Sequence, residues 1–194
     1  MNSELTAALY DYITDTECPK KNYRLAGLYY GMGHTAAAFT FYLRTAERAD
    51  DVFKSYECLL AMGLCFEAQS NRDNSARGMF KQAIMLCLHR PEGYFLLARH
   101  YERARLYMDG YVTAEIGMKM SEGITHPPLR GNVQYPGNYG LLFEKAVTAW
   151  WWGREKESRR LFRQLSHEYH DTMDKPHLSA VYLNLAKLGN GTTV

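Results

Sequence analysis

The chain has 194 residues, a formal net charge of +2, 46% hydrophobic residues and 23% charged residues. These proportions are those of a folded domain or a repeat array, and they exclude a disordered chain. The small net charge gives no electrostatic reason to expect nucleic acid or an anionic membrane surface as a partner. No run approaches the roughly 18 apolar residues of a membrane-spanning helix, and the N-terminus lacks the basic segment and apolar core of a signal peptide.

Apolar positions recur at helical spacing along most of the chain, and short segments rich in Pro, Gly, Asn and Asp interrupt them. The pattern predicts an all-α protein of about ten helices with no sheet. We predict a single array over residues 1–194, consisting of an N-terminal capping helix (1–18), a first helix pair (20–50), a second (56–88), a third (91–122), a Pro/Gly-rich insertion loop (123–140), a fourth helix pair (141–170) and a C-terminal capping helix (175–189). Capping helices are expected because a stack of repeats would otherwise expose an apolar face at each end.

The helix pairs share an internal repeat. Within residues 25–46, 62–83 and 97–117, a small residue is followed three positions later by an aromatic residue: Ala26 by Tyr29, Gly63 by Phe66, and Ala98 by Tyr101. The successive aromatic residues are 37 and 35 positions apart. Small side chains at such positions let the backbones of two packed helices approach closely.

This pattern resembles the tetratricopeptide family, whose repeats are helix–turn–helix units of about 34 residues. The resemblance covers about residues 20–190 and implies a right-handed solenoid of antiparallel helix pairs. The family has a small residue midway along the first helix of each repeat, here Ala26, Gly63, Ala98 and Ala146. It has another early in the second helix, here Ala38, Ala76, Gly110 and Ser158. The bulky residue four positions later is Tyr42, Phe80 or Phe162, with Ala114 as a departure. Three positions after that, where the family has a small residue, stand Thr45, Ala83, Gly117 and Leu165.

The fourth repeat is degenerate, because Lys145 stands where the family prefers Leu and Ala149 where it prefers an aromatic residue. The insertion loop and the segment LFEKAVTAWWWGR resemble, over about residues 58–166, the tetratricopeptide tails attached to some family 2 glycosyltransferases, including proteins of large bacteriophages. We expect no glycosyl transfer by the chain itself, since it has neither the βα alternation nor the DxD triplet of such a catalytic domain.

Trp150, Trp151 and Trp152 are the only tryptophans and follow one another directly. Because successive helical residues point about 100° apart, the three cannot all enter one core. The resemblance places Trp152 near the turn of the fourth repeat and the other two on the concave face. The alternatives are packing beneath the insertion loop or the C-terminal capping helix, binding of a partner, and membrane insertion, which the absence of a basic amphipathic face disfavours.

The family's concave face, carried over residue by residue, is rich in aromatic and arginine side chains in this chain. The predicted partner-binding residues are Tyr23, Tyr30, Phe95, Arg99, Glu102, Arg103, Phe143, Trp150 and Trp151. Binding hot spots favour Trp, Tyr and Arg, and two arginines one helical turn apart suit a carboxylate-bearing segment. Tyr23 and Phe95 stand where chaperone-binding members carry the lysines of their carboxylate clamp, which argues against a chaperone-tail adaptor.

No pattern in the chain predicts catalysis, a metal site or a cofactor. The four cysteines form no zinc-ligand spacing, so we expect buried, reduced thiols and a reducing compartment. We interpret the histidines and acidic residues of SHEYHDTMD (166–174) as a solvated helix end. No GxxxxGK[ST] phosphate-binding motif occurs.

Two functions of different classes follow from these observations. The first is a cytoplasmic, non-catalytic interaction module that binds a protein or peptide partner through the concave face. The second is a structural or accessory subunit of a larger assembly, such as a homo-oligomer or a phage particle with the chain in the virion, or a stand-alone relative of the glycosyltransferase-associated tails. Under the second, we expect partners to hold the polar tail NGTTV at residues 190–194.

Overall fold

The computed structural model describes residues 3–131 and 133–189, with the side chains of 188 and 189 outside the description. The described residues form ten helices: α1 (Ser3–Thr14), α2 (Pro19–Gly31), α3 (Thr35–Arg48), α4 (Val52–Glu67), α5 (Asp73–Leu86), α6 (Pro91–Arg103), α7 (Tyr107–Ser121), α8 (Gly140–Trp151), α9 (Glu155–Glu168) and α10 (Lys175–Gly189). No strand occurs in these ranges, so the prediction of an all-α protein is confirmed. The tail at 190–194 and its expected contacts lie outside the described residues.

The chain divides into two compact units. Unit 1 contains α1–α5 and residues 127–133 of the insertion loop. Unit 2 contains α6–α10 and the connecting residues of 89–126 and 134–139 that lie between those helices. Within each unit, every helix packs against the helix that follows it in the chain. Neighbours in sequence are therefore neighbours in space, as in a stack of helical repeats.

The core of unit 1 forms where the first helix of each pair crosses the second. Ala26 and Ala38, two of the small residues that mark the repeat, are fully buried in one cluster with Met62. A Cβ on Gly63 would lie 2.3 Å from Cε1 of Phe80, so α4 and α5 can approach this closely only with glycine at this position. The small-residue pattern thus sets the distance between paired helices.

The two buried cysteines of unit 1 lie on α4. Cys58 and Cys65 are 0% exposed and unbonded. Burial raises the pKa of both thiols to about 12. A thiol with so high a pKa holds almost no nucleophilic thiolate, so these two residues act as packing groups.

Unit 2 has the same construction around α7 and α8. Ala98, Ala114 and Ala146 are 0% exposed. A Cβ on Gly110 would lie 2.8 Å from Cγ2 of Thr148, which shows how closely α7 approaches α8. Ala114, a departure from the family's bulky residue, lies one turn further along the same helix, where this close approach leaves no room for a large side chain.

Three of the four turns within the repeats share one geometry. Gly33, Arg105 and Gly153 all have a positive φ, of 78°, 59° and 83°. Each donates its N–H to the carbonyl three residues earlier, at 2.9–3.1 Å, and the next residue donates to the carbonyl five residues before it. This is the usual way to end a helix with a residue in the left-handed region. Arg105 does so without being glycine, at a cost of about 1 kcal/mol.

Candidate partner-binding surface

In unit 1, the predicted partner-binding residues are Tyr23 and Tyr30, both half-buried on α2. Tyr30 packs against the core cluster that contains Ala26 and Met62. The Tyr23 ring meets that of Tyr42 edge-on at 5.8 Å between centroids. The rings of Tyr23 and Tyr30 therefore pack within unit 1, and only part of each ring is exposed.

Tyr23 also belongs to a polar group that the repeat pattern did not predict. The Nζ atom of Lys54 lies 3.6 Å from the centre of the Tyr23 ring and 2.5 Å from Oε2 of Glu57. Burial raises the pKa of the Tyr23 hydroxyl, and the charge of Glu57 beside it raises it further. Tyr23 is therefore neutral and serves as a hydrogen-bonding group next to a buried ion pair.

Arg130 and Gly131 of the insertion loop lie on this group. The Oε1 atom of Glu57 accepts hydrogen bonds from the backbone N–H groups of Arg130 and Gly131, the second at 2.8 Å. A Cβ on Gly131 would lie 2.3 Å from the Tyr23 hydroxyl oxygen. A residue predicted to contact a partner thus contacts the chain's own loop.

In unit 2, the structure corrects the placement of Phe95. Its side chain is 2% exposed and meets the ring of Tyr135 edge-on at 5.5 Å. Gly140 also approaches it, since a Cβ there would lie 3.1 Å from Phe95 Cδ2. Phe95 is a packing residue beneath the insertion, because the insertion covers the surface that a regular repeat would expose.

The charged residues of α6 surround a buried carboxyl group. Arg99 donates from Nη1 to Oε1 of Gln134 at 3.0 Å, and its guanidinium lies 5.6 Å from the centre of the Phe95 ring. Glu144 of α8 is 5% exposed. Burial and then the charge of Glu102 raise its pKa, Arg99 and Arg103 lower it, and the net result is a pKa of about 8. Glu144 is therefore protonated at neutral pH.

The aromatic residues of α8 point to different neighbours. Phe143 meets the ring of His177 edge-on at 4.9 Å, and Trp150 packs against the core cluster that includes Phe162 and Val181. Trp151 is 57% exposed, and its ring stacks on that of Tyr107, with 5.7 Å between centroids and 18° between planes. Among the predicted residues on α8, Trp151 thus presents the largest exposed aromatic surface.

Trp152 and Lys145 belong to a polar network beside α7. The Trp152 ring lies 5.2 Å from that of Tyr111, and the Arg154 guanidinium lies 4.1 Å from the Trp152 ring. Lys145, at the position where the family prefers Leu, places Nζ 3.7 Å from carboxylate oxygens of both Glu115 and Glu157. The degenerate fourth repeat thus replaces an apolar contact with an ion-paired one.

Sequence reasoning missed the buried glutamates Glu57 and Glu144, and it missed Tyr107. The available signal for Glu57 and Glu144 was an acidic residue within an otherwise apolar helix segment, ECLLAMG and LLFEKAV. Tyr107 had no such signal, because only the packing of α7 against α8 brings it beneath Trp151.

Comparisons with known proteins bear on the fold. No protein-family model matches the chain, and no curated protein matches it. Among solved structures, it is similar to a Podosopora anserina kinesin-light-chain-type protein built of nearly identical TPR-like repeats. That likeness has a TM-score of 0.62 and 15% sequence identity, and covers 89% of this chain and 87% of that chain.

Two further findings limit the kinds of site. In the part of the chain that the structure describes, none of the helices combines the length and apolar character needed to cross a membrane. No group of three or more His, Cys, Asp or Glu side chains in residues 3–131 and 133–187 is placed to hold a metal ion. With helix pairs packed in succession, small residues at each crossing and the structural likeness above, the chain has the tetratricopeptide-like helical repeat fold.

Proposed function

We propose that the chain is a non-catalytic protein-interaction module, and that unit 2 contacts a protein partner through the end of the α6–α7 helix pair. The observation that carries this proposal is the exposed Trp151 stacked on Tyr107. A large exposed aromatic side chain that is already held in one orientation loses little conformational entropy on binding, which is typical of a binding hot spot. Repeat folds of this kind commonly serve as protein-binding surfaces.

Basic side chains on α6 suggest the chemistry of the partner. Arg103 is the last residue of α6, and Tyr107, four residues later, is the first residue of α7, so Arg103 lies at the turn that leads to Tyr107 of the stacked pair. Arg99 lies one turn earlier on the same helix, and Glu102 lies between the two arginines. A segment that carries both an aromatic and an acidic side chain suits this arrangement better than a polyanion.

The partner can be identified by replacing Trp151 with the photoreactive residue benzoylphenylalanine and irradiating the protein in a lysate of its source organism. The matched control carries the same residue in place of Tyr10, an aromatic side chain on α1 that is 67% exposed. We expect a protein crosslinked at position 151 and not at position 10. Crosslinks that are equal at both positions would contradict the proposed surface.

The identified partner then allows a quantitative test. We expect Trp151→Ala to weaken binding by about 1–3 kcal/mol, while unfolding stability falls by no more than about 1 kcal/mol through loss of the ring stack. Titration calorimetry and thermal melting measure the two effects separately. If the variant binds normally, or if it loses binding only because it unfolds, Trp151 is a packing residue.

The second candidate function is that of an assembly subunit. Met108, Val112 and Ile116, at a spacing of four residues on α7, are 57%, 38% and 46% exposed. They form an apolar stripe along one face of the helix, and such a face is commonly covered in a permanent assembly. A role in a phage particle, and kinship with glycosyltransferase-associated tails, stay predictions from the resemblance.

A further inference from the structure

Unit 1 contains a buried hydrogen-bond acceptor built for a peptide backbone. Glu57 is 3% exposed, and its two oxygens have different partners: Lys54 Nζ at Oε2, and the backbone N–H groups of Arg130 and Gly131 at Oε1. A buried carboxylate is tolerated only where its charge is paired and its lone pairs accept hydrogen bonds. The Oε1 atom can therefore accept two successive backbone N–H groups, as it does from Arg130 and Gly131.

The same place selects a glycine. The Tyr23 hydroxyl oxygen would lie 2.3 Å from a Cβ on Gly131. The ring cannot easily move aside, because it contacts the Lys54 ammonium group on its face and the Tyr42 ring at its edge. The second of the two N–H groups must therefore belong to a residue without a side chain.

We propose that this group, Tyr23, Lys54 and Glu57, is a binding site for peptide segments of the form X-Gly, and that Arg130 and Gly131 of the insertion loop are its built-in ligand. A partner segment of this chemistry binds unit 1 only by displacing the loop. The inference rests on the proposed function in one respect, which is that the chain binds a peptide segment. It adds a second peptide-binding site, on unit 1, and the competitor that controls access to that site.

The tether explains why the loop is a strong competitor. Only 18 residues separate α7, which ends at Ser121, from α8, which begins at Gly140. A short tether holds a ligand at an effective concentration on the order of millimolar. A free segment that makes the same contacts must therefore exceed that concentration, or the loop must be weakened, before the site fills.

The test uses a fluorescein-labelled peptide PPLRGNV, the sequence of residues 127–133, titrated against three full-length proteins. Gly131→Val places a side chain against Tyr23 and weakens the loop while leaving the site intact. Gly78→Val is the matched control, because nothing lies within 4 Å of a Cβ added there on α5. We expect Gly131→Val to bind the peptide at least about tenfold tighter than the native chain or the control. In the latter two proteins the loop occupies most of the sites, and the apparent affinity for the peptide falls with the fraction of sites that are free. Equal affinity for all three proteins would overturn the proposal.

A second measurement uses the peptide PPLRVNV and does not depend on how any further variant folds. The valine in this peptide would clash with the Tyr23 hydroxyl as a side chain at position 131 does. We therefore expect PPLRVNV to bind Gly131→Val at least about tenfold more weakly than PPLRGNV. Comparable binding of the two peptides would show that the site does not select glycine and would overturn the proposal. Trypsin cleavage after Arg130 gives an independent readout, and we expect it to be faster in Gly131→Val than in the native chain or the control.

The outcomes separate this inference from the proposed function. If PPLRGNV binds the native chain and Gly131→Val equally well, the chain binds peptides but the loop does not control access. If the peptide binds none of the proteins, the site at Glu57 is refuted. Crosslinking at position 151 reports on the partner-binding function of unit 2 in either case.

Discussion

Glu144 shows how a single residue can make the stability of the protein depend on pH. Its carboxyl group is buried between α6 and α8, and burial, followed by the nearby charge of Glu102, raises its pKa to about 8 despite Arg99 and Arg103. An unfolded chain would give this group a pKa near 4.3. The folded state therefore holds the proton more tightly than the unfolded state does.

The sign of the pH effect follows from this difference. The contribution of Glu144 to stability is fully present below about pH 4 and is lost as the pH rises through about 8. Replacement of Glu144 by Gln keeps the shape but removes the titration. We therefore expect the native chain to lose about 2–4 kcal/mol more unfolding free energy between pH 5 and pH 9 than Glu144→Gln does.

Denaturant unfolding at several pH values measures this effect. The matched control is Glu155→Gln, which changes an exposed glutamate at the start of α9. Its stability should follow that of the native chain across the whole range. Parallel curves for Glu144→Gln and the native chain would show that Glu144 ionises as an ordinary carboxyl group.

At the scale of the helices, the small residues at each crossing determine how closely paired helices pack. Ala146 is 0% exposed, and its carbonyl oxygen accepts a hydrogen bond from Oγ of Ser158 on α9 at 2.8 Å. Ala98 is equally buried at the corresponding place on α6. A larger side chain at either position has to push two helices apart.

We expect Ala98→Leu and Ala146→Leu each to destabilise the protein by about 1–3 kcal/mol through overpacking. Leucine at the exposed position 155 (Glu155→Leu) should change the free energy of unfolding by no more than about 0.5 kcal/mol. Thermal melting compares the three variants. Similar melting shifts at all three positions would mean that these residues do not mark the helix crossings.

The turns illustrate which element-scale features the sequence could predict. Glycine at positions 33 and 153 is what a turn of this kind favours, because glycine is the residue that most readily takes a positive φ. The repeat pattern did not identify Arg105, which has the same turn with a φ of 59°. Local preference disfavours arginine there, and the packing of α6 against α7 outweighs that preference.

At the scale of the whole molecule, the mass in solution separates the two candidate functions. A module that binds its partner through Trp151 needs no second copy, so we expect the isolated protein to have the 22.4 kDa mass of one chain. Size-exclusion chromatography with light scattering measures this mass. A stable oligomer that dissociates in the variant Val112→Glu would instead assign the apolar stripe of α7 to contacts between copies.

The repeat architecture could be predicted from local patterns in the sequence. Helix period, turn residues and small residues at the crossings are local patterns, and each reflects a constraint that acts between residues close together in the chain. That is why Ala26, Gly63, Ala98 and Ala146 could all be recognised as buried positions before any coordinates were known.

The surroundings of the predicted partner-binding residues depend on contacts between distant parts of the chain. The insertion loop brings Gly131 to Tyr23, and it brings Tyr135 to Phe95, across separations in sequence of 108 and 40 positions. No local preference encodes such contacts, because they depend on where a long loop returns to the helices. The same holds for Glu57 and Glu144, whose burial follows from the packing of neighbouring helices and, for Glu57, of the loop, and is not predicted by their own side-chain chemistry.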